Sequence, residues 1–523
     1  MTTSRALARA GLIVSGAFLV SRILDWVRYV VFAHVFPAGP DLDAFFAAFR
    51  LPDLIFQLVA AGALSSAVIP VISALLATDE TARAWRVVST IANLMLAALL
   101  ALAIVVFVAA PWLMPAITPG YPPDEIERIV GLTRIMVLSP IFLALGSLAT
   151  SILNAGGRFA ASAIAPIVYN LAIIGAAIFL APTLGVTGLA IGVVAGSIGH
   201  LLVQLAPLAG IGFRYDRAID LADPDARKAL TLMAPRAVGL GAGQITFVVV
   251  TSIASTLGTG ALTAFNYAFT LLQIPIGVIG VPVGIVVLPS LSRVAAIGDL
   301  HEFAALMSRA IRLLVFTMLP ITGIAIVLRE PIVQVLFGYG KFDATAIRDT
   351  ANTLLTFLLG LTAHTLIAIL ARAFYARHDT RTPVAAAILA VVINSTLAGV
   401  LAVPLGLPGL GLAIAIAAWV EALVLLVLLR RALPELAFRP IASLAVRSLV
   451  MTIGASAVAW GVNEGLGLAL GGAPGRIELI ARLVVVGIVW LLTSAGAALV
   501  LRIGELGSII GLMLDLLRRP RAA

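Results

Sequence analysis

Apolar runs recur along this 523-residue chain from one end to the other, each of about 20 to 30 residues and so able to cross a hydrocarbon core of about 30 Å as a helix. Nothing constrains the fold more, because in lipid every backbone polar group must be satisfied within the spanning segment. Composition agrees: 61% of residues are hydrophobic and 11% charged, against about 25% charged in soluble domains, and the mean hydropathy is +1.13. The expected class is an all-α polytopic membrane protein with no stretch large enough for a soluble domain. The first run follows Arg5 and Arg9 and lacks a small-residue cleavage site, so it reads as a retained helix rather than a signal peptide. The chain has no cysteine, which excludes disulfides, thiolate metal sites and cysteine nucleophiles.

Breaks at proline, glycine and charge clusters place spans at about 10–36, 42–77, 84–114, 127–155, 159–181, 186–211, 226–257, 262–296, 302–337, 347–377, 381–403, 408–433, 440–463 and 476–502, about fourteen in all. The basic residues test that count. Arg83 and Arg86, Arg158, Arg214 and Arg217, Arg293, Arg377 and Arg381, Arg430 and Arg431, and Arg518 and Arg519 fall on one side, while loops such as APTLGVTG, STLGTGAL and VPLGLPGL are nearly uncharged. The positive-inside rule then puts both termini in the cytoplasm. The net charge of +9 comes from these topology signals and not from a basic patch interleaved with aromatics, so no nucleic-acid partner is expected.

Shifting the chain by 220 residues lays LDAFFAAFRL (42–51) on LTAFNYAFTL (262–271). The two stretches open the second and eighth spans. An even offset preserves orientation, so the expected architecture is two six-helix lobes in a parallel pseudo-twofold repeat, over 1–212 and 213–438. Two further spans (439–502) stand outside the repeat, and residues 503–523 read as an interfacial cytoplasmic tail. Paired lobes imply a cavity with alternating access.

Charges inside the apolar runs mark where such a cavity would be lined. Arg22, Asp25 and Arg28 stand at i, i+3 and i+6 on the first span, where a lone arginine costs about 2.5 to 3.5 kcal/mol and must face protein or water. Asp43, Arg50 and Gln57 recur every seven residues near one face of the second span, and Arg236 lies about ten residues into the seventh. Each alone reads as readily as a clamp between helices. Together, guanidiniums in excess of carboxylates suit a phosphate or diphosphate, which their planar forks bind bidentately. A lipid carrying a diphosphate fits both the charge and the surroundings. Asn266, Thr270 and Gln273 form an uncharged stripe on the eighth span, best explained by interhelical hydrogen bonding. His200 and His364 read as packing histidines, and Asn394 as packing rather than a cation ligand. No phosphate loop, zinc motif or nucleophile elbow occurs.

SRILDWVR, DAFFAAFRLPD, ILNAGGRFAASAIAP, QIPIGVIG, VLPSLSR, FGYGKFD and LARAFYARHDTRTPV resemble, in that order, the MurJ (MviN) lipid II flippase family of the multidrug/oligosaccharidyl-lipid/polysaccharide exporter superfamily. The resemblance covers about residues 10 to 440. It implies a fourteen-helix fold, a cationic cavity, a groove at 439–502 for a polyprenyl tail, and movement of lipid II from the inner to the outer leaflet of the bacterial cytoplasmic membrane. The family's functional arginines correspond to Arg22 and Arg28, its acid to Asp43, and a basic position to Arg50. Gln57 and Thr270 stand where the family often has arginine, while Asp25 and Arg236 would restore charge.

The expected activity is therefore that of a secondary-type lipid transporter, not an enzyme. It needs no cofactor and is driven by membrane potential or a monovalent cation. Expected partners are lipid II and cell-wall synthases. A flippase for another polyprenyl-linked saccharide, a drug/cation antiporter of the same superfamily, and an inactive paralogue acting as a cell-wall scaffold are the alternatives. Arginine outnumbering carboxylate argues against the antiporter.

Overall fold

The computed structural model describes residues 2–59, 63–470 and 475–507, and they are helical throughout apart from turns and one extended linker. They form two compact units, Met1–Thr263 with Gly340–Asp343, and Ala264–Tyr339 with Ala344–Ala523.

The first unit holds α1 (Thr2–Val35), α2 (Pro40–Val59), α3 (Ala63–Ala77), α4 (Thr81–Ile117), α5 (Pro123–Met136), α6 (Ser139–Ala155), α7 (Phe159–Phe179), α8 (Ala181–Leu184), α9 (Val186–Gly210) and α10 (Pro224–Ser255). Helix α7 packs on α1, α6 and α9. Helix α10, which the repeat assigns to the second lobe, packs here against α2, α3 and α4. Packing therefore draws its boundary at Thr263, whereas the sequence repeat draws one at 212. The linker ahead of α10 lies along α4: Ser89 Oγ and Thr90 Oγ1 accept from the backbone N–H groups of Asp216 and Asp220. Asp223 caps α10 through the N–H groups of Asp225 and Ala226 and pairs with Arg83 at 2.8 Å.

The second unit holds most of α11 (Ala261–Pro275), a π-helical turn (Ile276–Gly280), α12 (Val281–Ala296), α13 (Leu300–Val327), α14 (Arg329–Phe337), α15 (Ala344–Leu358), α16 (Leu361–Ala376), α17 (Arg381–Leu405), α18 (Leu407–Ala432), α19 (Phe438–Leu470) and α20 (Arg476–Val500). Its core is built by Leu291 of α12, Phe303 and Met307 of α13, Ile369 and Phe374 of α16, and Leu425 of α18. Helix α19 docks on α13, closely enough that a Cβ on Gly323 would lie 2.4 Å from Thr452 Cγ2.

Among the described residues ten helices are long and apolar enough to cross a membrane, and α15 with α16, bent by 45°, makes an eleventh. The spans expected at 10–36, 42–77 and 226–257 fall on α1, α2 with α3, and α10, whose side chains are only partly within the described set. Helix boundaries follow the expectation within a few residues except at α1, which begins at Thr2 rather than near residue 10, and at α19, which runs to Leu470 rather than 463. Several expected spans are two elements: 127–155 is α5 and α6, 302–337 is α13 and α14, and 347–377 is α15 and α16. Residues 508–523 of the expected interfacial tail lie outside the described residues. Large apolar side chains face outward, with Val403 87%, Leu468 85% and Phe179 77% exposed. Such an outer surface is suited to lipid and costly in water.

The repeat returns as backbone geometry. The turn into α9 has Gly185 at φ 57°, ψ −143°, and the turn into α18 has Gly406 at φ 62°, ψ −139°. Both donate their N–H four residues back, to Ala181 O and Ala402 O at 2.9 Å. Both conformations belong to a region essentially reserved for glycine. The matching loops APTLGVTGL and AVPLGLPGL therefore turn in the same way.

Candidate functional site

Helix α1 carries its three charges onto the face that meets α7. Arg28 donates from Nη2 to Asp25 Oδ1 at 2.8 Å and from Nη1 to Asn170 Oδ1 at 3.3 Å. Asn170 of α7 is buried and donates in turn to the Ser21 carbonyl at 3.4 Å. One face of the guanidinium lies 5.5 Å from the Tyr29 ring centre. The fork is therefore oriented on three sides, a pre-organised arrangement that costs little entropy when an anion arrives.

Beside this fork a cavity of about 460 Å³ opens between α1, α6 and α7. Ser21, Arg22 and Asp25 line it from α1, Thr150 and Asn154 from α6, and Ser162, Tyr169 and Asn170 from α7. Its neutral polar groups are tied together: Thr150 donates to Gln204 Oε1 at 2.8 Å, and Ser162 to Asn154 Oδ1 at 2.9 Å. A volume of this order accommodates a small polar group and not a whole lipid.

Arg50 lies in the same unit. Its Nε donates to Thr251 Oγ1 of α10 at 2.9 Å, and its guanidinium sits 5.4 Å from the Phe247 ring centre. Asp53 stands one turn on, within reach of both Arg50 and Gln57. Tyr29 interacts with both Arg28 and Arg50, and Tyr169 with Arg28, Asp25 and Asp53. The two charge clusters read from the sequence are thus one band, with three guanidiniums (Arg22, Arg28, Arg50) and two carboxylates (Asp25, Asp53).

Asp43 is not part of that band. It is fully buried at the other end of α2, where its oxygens accept from the backbone N–H groups of Gly260 (2.6 Å) and Thr263 (2.8 Å) and from Thr263 Oγ1 (2.6 Å). These donors stand at the start of α11, so the carboxylate satisfies N–H groups that a helix N-terminus leaves open and offsets its partial positive charge. Asn266 is buried and accepts through its backbone carbonyl from Thr270 Oγ1 at 2.9 Å, while Gln273 is exposed. The side chain of Arg236 lies outside the described residues. Sequence reading missed Asp53, Tyr169, Asn170 and Thr251. The adjacent Tyr169–Asn170 pair, deep in the apolar span 159–179, and Asp53 three residues beyond Arg50 were the available signals.

The family described as "Lipid II flippase MurJ" matches residues 32–468. The lipid II flippase MurJ of Burkholderia cenocepacia is 36% identical over 436 residues, which cover 81% of this chain and 84% of that protein. A probable lipid II flippase MurJ of Vibrio cholerae is 33% identical over 432 residues, covering 80% and 82%. Among solved structures, a lipid II flippase MurJ in an inward closed conformation superposes with a TM-score of 0.76 at 23% identity, covering 93% of this chain and 99% of that one. An inward-facing multidrug MATE transporter of the MOP superfamily superposes with a TM-score of 0.65 at 16% identity, covering 82% and 98%. The superpositions establish a fold shared with MATE transporters, and the matched length and identity go further: the chain belongs to the MurJ lipid II flippase family.

Proposed function

We propose that this protein moves lipid II, the undecaprenyl-diphosphate-linked peptidoglycan precursor, from the inner to the outer leaflet of the bacterial cytoplasmic membrane by alternating access. The observation that carries the reading is Arg28, held by Asp25 and Asn170 at the edge of a cavity lined by Arg22 and Asp25. A diphosphate docked on this band takes charge-assisted, bidentate hydrogen bonds from guanidiniums already oriented for it. The neutral groups at Thr150, Asn154 and Ser162 suit the hydroxyl and amide groups of an attached saccharide.

Asp43 acts differently: its bonds to Gly260 and Thr263 anchor the start of α11 within the first unit. The band's excess positive charge couples alternating access to the membrane potential, at about 2.3 kcal/mol per elementary charge per 100 mV. Both termini lie in the cytoplasm in this scheme.

A second reading, transport of another polyprenyl-linked saccharide, is favoured by Gln57 and Thr270, which are neutral at two positions where the family resemblance implies arginine. Rescue of a strain depleted of its own lipid II flippase separates the two, comparing the chain with Arg28→Ala at equal membrane abundance. Rescue by the native chain alone supports lipid II transport through this band. Failure of both, with correct insertion, points to a different lipid-linked saccharide.

A further inference from the structure

A second polar cavity, of about 210 Å³, lies far along the chain from the guanidinium band, between α13, the first turns of α19 and the turn that follows α20. Arg312, Ser443, Arg447, Arg502 and Glu505 line it. Arg312 donates from Nε to Glu505 Oε1 at 2.6 Å and also forms an ion pair with that carboxylate through Nη2, so the only acid present is already engaged. Among the described residues neither the Arg447 nor the Arg502 guanidinium has a hydrogen-bond or ion-pair partner. Three guanidiniums against one carboxylate leave the cavity with two uncompensated positive charges.

The position of Arg447 identifies what would compensate them. It lies nine residues beyond Phe438, where α19 begins, or about 14 Å along the axis. Its neighbours Val446, Leu449 and Val450 are 62%, 47% and 54% exposed, as lipid-facing residues are. A guanidinium at that depth must reach toward the head-group region and find an anion there. The same end of the unit carries Arg430, Arg431 and Arg439, which the positive-inside rule assigns to the cytoplasmic leaflet.

We propose that this cavity binds the phosphate of an anionic glycerophospholipid of the cytoplasmic leaflet. Arg447 and Arg502 take the phosphodiester oxygens, Ser443 offers a hydroxyl donor, and one acyl chain runs along Val446, Leu449 and Val450. Basic pockets between transmembrane helices on the cytoplasmic side suit such head groups. The proposal does not depend on what the protein transports.

Native mass spectrometry of the full chain in neutral detergent tests it, with phosphatidylglycerol and phosphatidylcholine of identical acyl chains as probes. The native chain should retain phosphatidylglycerol preferentially. Arg502→Gln should weaken that binding about fivefold, and Arg447→Gln with Arg502→Gln about 25-fold, with phosphatidylcholine unaffected. Arg502 stands in an exposed turn, so its single variant decides the matter if the double variant fails to insert. Equal retention of the two lipids, or unchanged retention by a folded variant, overturns the proposal. So does displacement of the lipid by millimolar inorganic phosphate, which would mark a site for soluble anions. Loss of a polyprenyl diphosphate in place of phosphatidylglycerol would assign the cavity to the transport path and also overturn it.

Discussion

Helices α2 and α11 share an apolar skeleton and differ in their polar chemistry. Leu42 and Leu262 are both fully buried, as are Ala48 and Ala268, and Leu51 and Leu271 are each 7% exposed. Phe45 stacks on Phe49 with ring centres 6.3 Å apart, and Phe265 stacks on Phe269 at the same 6.3 Å. On this shared frame Arg50 reaches out to Thr251, while its mate Thr270 bonds back to its own helix at Asn266 O. Asp43 binds Thr263, the residue that occupies its own position in the repeat. Packing was thus preserved where shape decides it, and charge was kept on one copy only.

The largest expected effect tests that asymmetry. Arg50→Thr, which makes α2 resemble α11, should lower lipid II flipping in proteoliposomes by at least about tenfold, since a charge-assisted contact is worth about 1.5–3 kcal/mol. Thr270→Val should change it less than twofold. Equal losses would break the comparison. Next comes the buried Asp43 carboxylate. Asp43→Ala strands N–H groups at Gly260 and Thr263 at about 1–3 kcal/mol each, so a melting point measured in detergent should fall by several degrees. Thr263→Val, which removes one donor and leaves the carboxylate two, should cost less.

The two matched turns sharpen the comparison from the other side. Gly185→Ala and Gly406→Ala should each destabilise by about 1–3 kcal/mol, because both force a side chain into a glycine-only conformation. Similar losses are expected from chemical denaturation of the two variants. A cost confined to one of them would show that the turns only look alike.

The smallest effect concerns helix starts. Asp379 accepts from the N–H groups of Arg381 and Thr382 and from Thr382 Oγ1, whereas the N-cap of α7 is Arg158, which makes no side-chain cap bond. The Thr382 hydroxyl and these N–H groups hold the Asp379 carboxyl below the usual carboxylate range. A depressed folded-state value means that the stabilisation is full above the unfolded value of about 3.9 and fades as pH falls through the folded one. Melting points compared between neutral and strongly acidic pH should therefore fall further for the native chain than for Asp379→Asn.

Much of this was legible because membrane helices announce themselves. The span limits near 159–181, 186–211 and 408–433 follow from length, proline, glycine and basic ends, which are local quantities. The helix-1 arginines were legible for a related reason, since a charge in an apolar run has no inexpensive location. Asp43 read equally well as a cavity acid, and only its placement revealed an anchor for the start of α11: its partners lie more than 200 residues away, and no local pattern names them. Asn170 escaped notice because a single amide in an apolar helix looks like packing until an arginine is found against it.

The sequence by itself determined that the chain spans a membrane, roughly where each helix begins and ends, and that positive charge is buried on α1 and α2, because hydrophobic length and the cost of buried charge act along the chain. Tertiary structure alone decided that Arg22, Arg28 and Arg50 join one band with Asp25 and Asp53, that Asp43 holds the start of α11, and that Arg447 and Arg502 share a second cavity with Arg312. Hydrogen bonds and ion pairs act over a few ångströms of space, and residues distant in sequence meet at that range only once the helices have packed.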